Sequence, residues 1–423
     1  MTSDQLTQDP LKSHLPFSRE TGVFSVVVFA MVTLSIVFSV EIPIGLGVSE
    51  YASINSEDFG VTVLSLWLAK KLLLDKERII GPLLPAVMAL LLIATGWIVL
   101  TFGIATVRST QSVAPSALWI MKWFEVLVFF ICVQHLLKQR SATVVVKTIV
   151  AGGTLLSVYS IYASQLLAVR RVRVFFGNPN TLSAFFVLIV TISLSGVIAN
   201  HGRDRVAYVM TGLLAGGATL TTLSRSGIIA LIVSLSTLVV LHHRNLTRRV
   251  LAGLTAGAVS LGLIMSYVLQ DRLSRFFNWI QITPEGISLA SGTAGRSFRV
   301  RLELLQKSWD LWVEQPIFGY GWFASPSRVG FLDNLYAILL VELGLPGLII
   351  MLGLYVVVLR TLFQLGQAGS SYLSNAVFAW FMGMLAMSIA GGFPRAPQMM
   401  MLWLLLLTAT WVLGEDGIWT TNT

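Results

Sequence analysis

Arginine is concentrated in a few short polar interruptions of an otherwise apolar chain. Arg170, Arg171 and Arg173 precede Phe176-Gly177-Asn178-Pro179-Asn180, and Arg225 stands within Thr222-Leu223-Ser224-Arg225-Ser226-Gly227. Arg296, Arg299 and Arg301 follow closely on one another, and Asp333-Asn334-Leu335-Tyr336 comes after them. A planar guanidinium grips two oxyanion oxygens in parallel, where an ammonium offers a point charge, so these arginines suit recognition of a phosphate-like anion. Arg225 is the most demanding of them. It divides two apolar runs with almost no loop, and a charge at that depth must meet an anion, water or a carboxylate. Asn178, Asn180, Asp333 and Asn334 stand near helix starts, where such side chains serve equally as caps or as ligand-holding groups. Asp310 and Glu314, four residues apart, have no histidine partners and read as a solvated face, so no metal site is expected. Phe318-Gly319-Tyr320-Gly321 opens no strand-turn-helix unit and reads as a flexible turn, not a nucleotide loop.

The elements that must position these residues are membrane helices. Of the 423 residues 55% are hydrophobic and 12% charged, with a mean hydropathy of +0.79, too little charge to cover a soluble surface. Apolar runs long enough to cross a bilayer recur near 21-40, 58-74, 81-104, 116-137, 144-168, 180-200, 206-223, 226-241, 249-269, 335-359, 373-392 and 397-414. The expected fold is therefore all-α and polytopic, with about 12 transmembrane helices. Residues 1-20 form a cytoplasmic tail without a cleavable signal pattern, 21-269 the first nine spans, 270-334 an extracytoplasmic loop domain, 335-414 three more spans and 415-423 a second cytoplasmic tail. The single cysteine, Cys132, falls inside a span and reads as a small core residue. The net charge of +9 is scattered over short connections, which argues against a nucleic-acid partner.

Orientation follows from the charges. The first outer loop carries Glu41, Glu50, Glu57 and Asp58 and no base, whereas inner segments gather Lys70, Lys71, Lys76, Arg78, Lys138 and Arg140, among others. This positive-inside pattern places the N-terminus in the cytoplasm. The basic residues left on the outer face, Arg225, Arg328 and Arg395 among them, are then arginines with Lys307 the one exception, while the inner side mixes both types. All five histidines fall in or beside inner segments, which leaves no histidine base outside. Lys122 and Glu125, one turn apart in the fourth span, form an intramembrane pair. Within the long outer loop Phe298, Leu302, Leu305, Trp309 and Trp312 share one face, predicting an amphipathic helix over 295-313 at the membrane interface, ended by Pro316.

Taken in order, Phe176 to Asn180, Leu223 to Gly227, Gly295-Arg296, Gln315 to Gly321, and Asp333 to Tyr336 with Glu342-Leu343-Gly344-Leu345-Pro346-Gly347 resemble the O-antigen ligase and polymerase superfamily. The resemblance covers residues 170 to 350 by motif and the remainder by hydropathy. It implies a GT-C-like membrane glycosyltransferase, without metal, cofactor or nucleotide sugar, moving a glycan from an undecaprenyl-pyrophosphate carrier to an acceptor hydroxyl. The implied setting is the outer face of a bacterial cytoplasmic membrane, with a glycan acceptor and, where present, a chain-length regulator as partners. On this resemblance Arg225 and Arg296 bind the pyrophosphate and Asp333 orients or deprotonates the acceptor. Arg170, Arg171, Arg173, Arg299, Arg301, Asn178, Asn180, Asn334 and Tyr336 are the further substrate-binding candidates. Ligases of this superfamily usually carry histidine where Asp333 stands, and the Asp-Asn version looks more like an exopolysaccharide polymerase. A ligase, and outside the enzymes an anionic-solute transporter or flippase, remain the alternatives; a transporter would place its charges near mid-membrane.

Overall fold

The computed structural model describes residues 19–38, 41–43, 53–74, 84–108, 113–165, 176, 178–200, 202–242, 280–283, 286–289, 293–330, 334–367, 372–389 and 397–415. The helices are α1 (Arg19–Val37), α2 (Ser56–Leu73), α3 (Pro85–Val107), α4 (Val113–Leu136), α5 (Gln139–Gln165), α6 (Pro179–Ala199), α7 (Gly202–Thr221) and α8 (Arg225–His242). They continue with α9 (Thr293–Glu314), the single turn α10 (Ser325–Arg328), α11 (Leu335–Gln367), α12 (Tyr372–Met387) and α13 (Pro397–Glu415). Two short antiparallel ladders, β1 (Glu41–Pro43) with β2 (Ser53–Asn55) and β3 (Ile280–Thr283) with β4 (Gly286–Leu289), interrupt the helical pattern only in connections. Among the described residues seven helices are long and apolar enough to cross a membrane: α3, α4, α5, α6, α8, α11 and α13. α1 and α12 contain shorter apolar helices. The chain is thus an all-α polytopic membrane protein; the expected span at 249-269 lies outside the described residues, so the structure does not extend to a count of twelve.

In lipid the hydrophobic effect does not press helices together, and close backbone approach with polar contacts takes its place. α6 and α13 run through the centre with almost every residue buried. α12 lies across both α6 and α8: the Trp380 indole donates to the Ala184 carbonyl at 2.8 Å, and Gly383 sits directly on Ala230 and Ser234 of α8. The His242 ring stacks on Tyr372 at the other end of the same pair, 5.4 Å between centroids. These contacts make α12 antiparallel to α6 and α8, so the N-termini of those two helices share one end of the bundle with the C-terminus of α12.

α11 is 33 residues long, about 50 Å at 1.5 Å per residue and longer than the roughly 30 Å hydrocarbon layer. It is not continuous. Gly344 adopts φ 67° and ψ −172°, and Pro346 has no N–H to give. The freed groups are met from outside the helix. The Val341 carbonyl accepts from Tyr320 N–H (2.8 Å), the Glu342 carbonyl from Gly321 N–H (3.0 Å) and the Leu343 carbonyl from the Trp97 indole (2.9 Å), while Leu345 N–H donates to the Pro316 carbonyl (2.9 Å). The expected flexible turn at 318–321 is therefore a docked segment. Its Phe318 ring stacks on Trp97, and Gly319, at φ 64°, lies so close to the Glu342 backbone that no Cβ fits. The adjoining aromatics continue the contact, Phe323 stacking on Trp119 and Trp322 meeting Trp123 edge-on.

α9 extends the expected 295-313 helix by a residue or two at each end. Its Leu304, Leu305 and Leu311 pack toward Tyr320, Ile338 and Val341, while Leu302, Trp309 and Val313 stay exposed. Part of the expected apolar face is thus turned away from the protein, as a helix at a lipid surface would have it. Gly344→Ala places a Cβ against the Ile317 carbonyl in a backbone region almost restricted to glycine, and should cost about 2 kcal/mol or more. Gly103→Ala, at a position with open space, should cost nothing measurable. Thermal unfolding of the purified protein distinguishes them; equal melting temperatures would show that the docked loop is not a structural requirement.

Candidate functional site

Two polar helix starts meet, and a third lies, at the end of the bundle that α6, α8 and α12 define. α6 begins at Pro179, whose ring suits the first helical position. Asn178 caps it by accepting from Asn180 N–H at 2.8 Å. α8 begins at Arg225 after a turn in which Leu223 is held at φ 50°, a left-handed conformation uncommon for a leucine. Ser224 is the hub between the two starts. Its hydroxyl donates to Asn180 Oδ1 (2.8 Å), accepts from Gly227 N–H (3.0 Å) and lies 3.2 Å from the Ser226 hydroxyl. Ser224 and Thr222 are fully buried, and Asn180 nearly so. Gly227 faces the Ser183 side chain with no room for a methyl group. Arg225, the first residue of α8, is half-buried beside this junction.

The third start belongs to α11. Asn334 caps it, its Oδ1 accepting from Ala337 N–H (2.9 Å), while its Nδ2 donates to the Ile389 carbonyl (2.9 Å). Leu335 N–H reaches the Ser388 carbonyl and the Tyr336 hydroxyl reaches the Leu385 carbonyl, both at 2.9 Å. Asn334 and Tyr336 thus stitch α11 onto the end of α12, at the level where α6 and α8 begin. A structural duty accounts for the hydrogen bonds of Asn178, Asn180, Asn334 and Tyr336, and leaves Arg225 as the charged residue of the junction.

Arg299 is exposed and Arg301 half-buried on α9, which packs on α11. The α9 end is also tied to α3, because the Arg108 guanidinium donates to Gln315 Oε1 at 2.6 Å. Arg170, Arg171, Arg173 and Asp333 lie outside the described residues, as does the Arg296 side chain; Asp333 directly precedes Asn334 in the chain. Among the described residues no group of three or more histidine, cysteine, aspartate or glutamate side chains is arranged to hold a metal ion.

Two charged features go beyond the sequence reading. Lys122, expected to pair with Glu125, also bonds Asp58 on α2, with Glu125 3.1 Å away. The Asp58 carboxylate further accepts from Asn55 N–H (2.9 Å), which ties the start of α2 to α4. The second is Glu342, fully buried in α11 and accepting from Ser325 N–H (3.2 Å) and the Ser325 hydroxyl (2.6 Å). A carboxylate inside an apolar run is itself the signal that marks such a residue. Ser224 carried no comparable signal, since its role depends on two helices meeting.

Residues 210–352 match the family model described as O-Antigen ligase. The matched stretch includes Arg225, α9, the docked loop, Asn334 and the break in α11, and it bears out the resemblance to the O-antigen ligase and polymerase superfamily. No match to a curated protein was found. Removing the Ser224 hydroxyl should cost about 1 kcal/mol, because it leaves a buried acceptor and a helix-start N–H unmet. A Ser224→Ala, Asn180→Ala double-mutant cycle on unfolding should return a coupling of the same order. Strict additivity would mean that the two helix starts are independent.

Proposed function

We propose that this chain, whose residues 210–352 match the O-antigen ligase family model, polymerises undecaprenyl-pyrophosphate-linked oligosaccharide repeat units into exopolysaccharide or O-antigen. The reaction takes place on the outer face of the bacterial cytoplasmic membrane, with 270-334 as the extracytoplasmic loop domain. The observation that carries this reading is the gathering of Arg225 with the starts of α6 and α11 at one end of the bundle, Asp333 being the residue before Asn334.

The chemistry requires few groups. The acceptor hydroxyl oxygen forms a bond to the anomeric carbon of the donor as the bond from that carbon to the pyrophosphate oxygen breaks. The electron pair leaves with the pyrophosphate, and the hydroxyl proton passes to a base. Arg225 and Arg296 stabilise the charge gathering on the leaving group, an effect strengthened where water is scarce. Asp333 supplies the carboxylate that orients or deprotonates the hydroxyl. Arg170, Arg171, Arg173, Arg299 and Arg301 guide the anionic carrier, and Asn178, Asn180, Asn334 and Tyr336 hold the helix starts together while offering neutral hydrogen bonds. No metal takes part in this scheme.

Ligation of the glycan to a lipid A core or another acceptor uses the same donor chemistry, and the description of the matching family favours it as the second reading. Asp333 in place of the ligases' usual histidine favours polymerisation. Purified protein incubated with an undecaprenyl-pyrophosphate-linked oligosaccharide should produce a ladder of longer carrier-linked glycans. Arg225→Ala and Asp333→Ala should each slow it by about a hundredfold or more. An inert wild type that carries the intact donor across liposomes would sink the enzyme reading and favour a transporter.

A further inference from the structure

The loop between α9 and α11 holds one arginine by an unusually complete set of supports. α10 is a single turn, too short to persist unaided. Glu342 secures its start, both bonds from Ser325 converging on one carboxylate oxygen. Placing a carboxylate at full burial in a membrane helix is costly, so the turn it secures should carry a function. Ala324 and Val329, flanking the turn, pack with Ile338 and Val341 of α11.

At the end of that turn the Arg328 guanidinium lies 5.2 Å from the centre of the Tyr320 ring. Tyr320 is 5% exposed, and its hydroxyl donates to Glu314 Oε2 at 2.5 Å. Burial, reinforced by Glu314, pushes the Tyr320 phenol up to about 12, so the ring stays neutral throughout the physiological range. A guanidinium carries five N–H donors, so its approach to a ring does not by itself exhaust its capacity for hydrogen bonds. Val329, the next residue, packs in the same cluster as Ile338, one turn beyond Asn334. Arg328 therefore stands beside the outer start of α11.

Resting on the donor proposed above, we infer that Arg328 is a further residue holding the phosphates of the lipid-linked donor, with Ser325, Glu342 and Tyr320 as its positioning device. The full-length protein in phosphatidylcholine nanodiscs, a zwitterionic bilayer, tests this by equilibrium binding of undecaprenyl pyrophosphate. Exchanging a two-bond fork for an ammonium should raise the Kd of Arg328→Lys about tenfold, with the melting temperature unchanged. Glu342→Ala should raise it similarly, and Glu342→Gln, whose amide oxygen still accepts from Ser325, should restore most of the affinity. A Kd for Arg328→Lys equal to that of the wild type overturns the inference, whatever the transfer assay returns. A wild type that binds the pyrophosphate but never lengthens a glycan defeats the polymerase reading alone, and Arg328 is still judged by the Kd values. A wild type that binds none overturns the inference together with the donor assignment.

Discussion

A helix interrupted inside a bilayer frees backbone groups that lipid cannot satisfy, and the break in α11 at Gly344-Leu345-Pro346 sets that requirement here. Three carbonyls and one N–H need partners. The structure meets the need by docking residues 316–321 on the break and by aiming the Trp97 indole at Leu343. Much else depends on that choice. It joins α3 to α11, turns the segment after α9 into a part of the helix bundle, and brings Tyr320 and α10 beside the first turns of α11. The segment at 318–321, which reads as a flexible turn in the sequence, is therefore as constrained as the helices beside it.

The polar residues at the end of the bundle where α6, α8 and α11 begin divide the work by charge. Neutral side chains do the joining: Ser224 links two helix starts, Asn178 and Asn334 cap, and Tyr336 and Asn334 fasten α11 to the last turn of α12. Such bonds satisfy groups that would otherwise be costly to bury, without bringing charge into a poor dielectric. Charge enters in two ways among the described residues, at a helix start, as with Arg225, or where an opposite charge is already supplied. Lys122 between Asp58 and Glu125 illustrates the second case, since two carboxylates from neighbouring helices surround one ammonium. Its role in fastening α2 to α4 is structural, whereas Arg225, at the opening of α8, stands where three helices begin.

The strained points of the backbone fall near the same end. Leu223, immediately before Ser224 and Arg225, and Phe323, stacked on Trp119, are non-glycine residues in the left-handed region. Each is held by its surroundings, Leu223 by the buried serine and threonine bonds of its turn and Phe323 by the aromatic contact. Conformations of this kind persist when neighbouring structure over-determines them, and they concentrate where side-chain direction matters.

Much of the architecture was legible in the sequence, because a bilayer makes the signal strong. Every backbone group must be paired within a helix, so span after span announces itself as an apolar run, and the helix starts at 179, 225, 335 and 397 fall within a residue of the expected positions. Pro179, Asn178 and Asn334 signalled caps through local chemistry, and the expectation of an anion rested on the arginine residue type alone. Contacts between distant segments were beyond its reach. That Ser224 answers Asn180, that Asp58 completes the Lys122 pair, and that Gly319 and Tyr320 sit on the break in helix α11 follow from packing, in which a serine or glycine looks the same wherever it occurs. Local periodicity and composition determined that helices exist and where they begin; only the tertiary structure decided which starts share one end, because that depends on which backbones can approach closely and which freed carbonyls must be met.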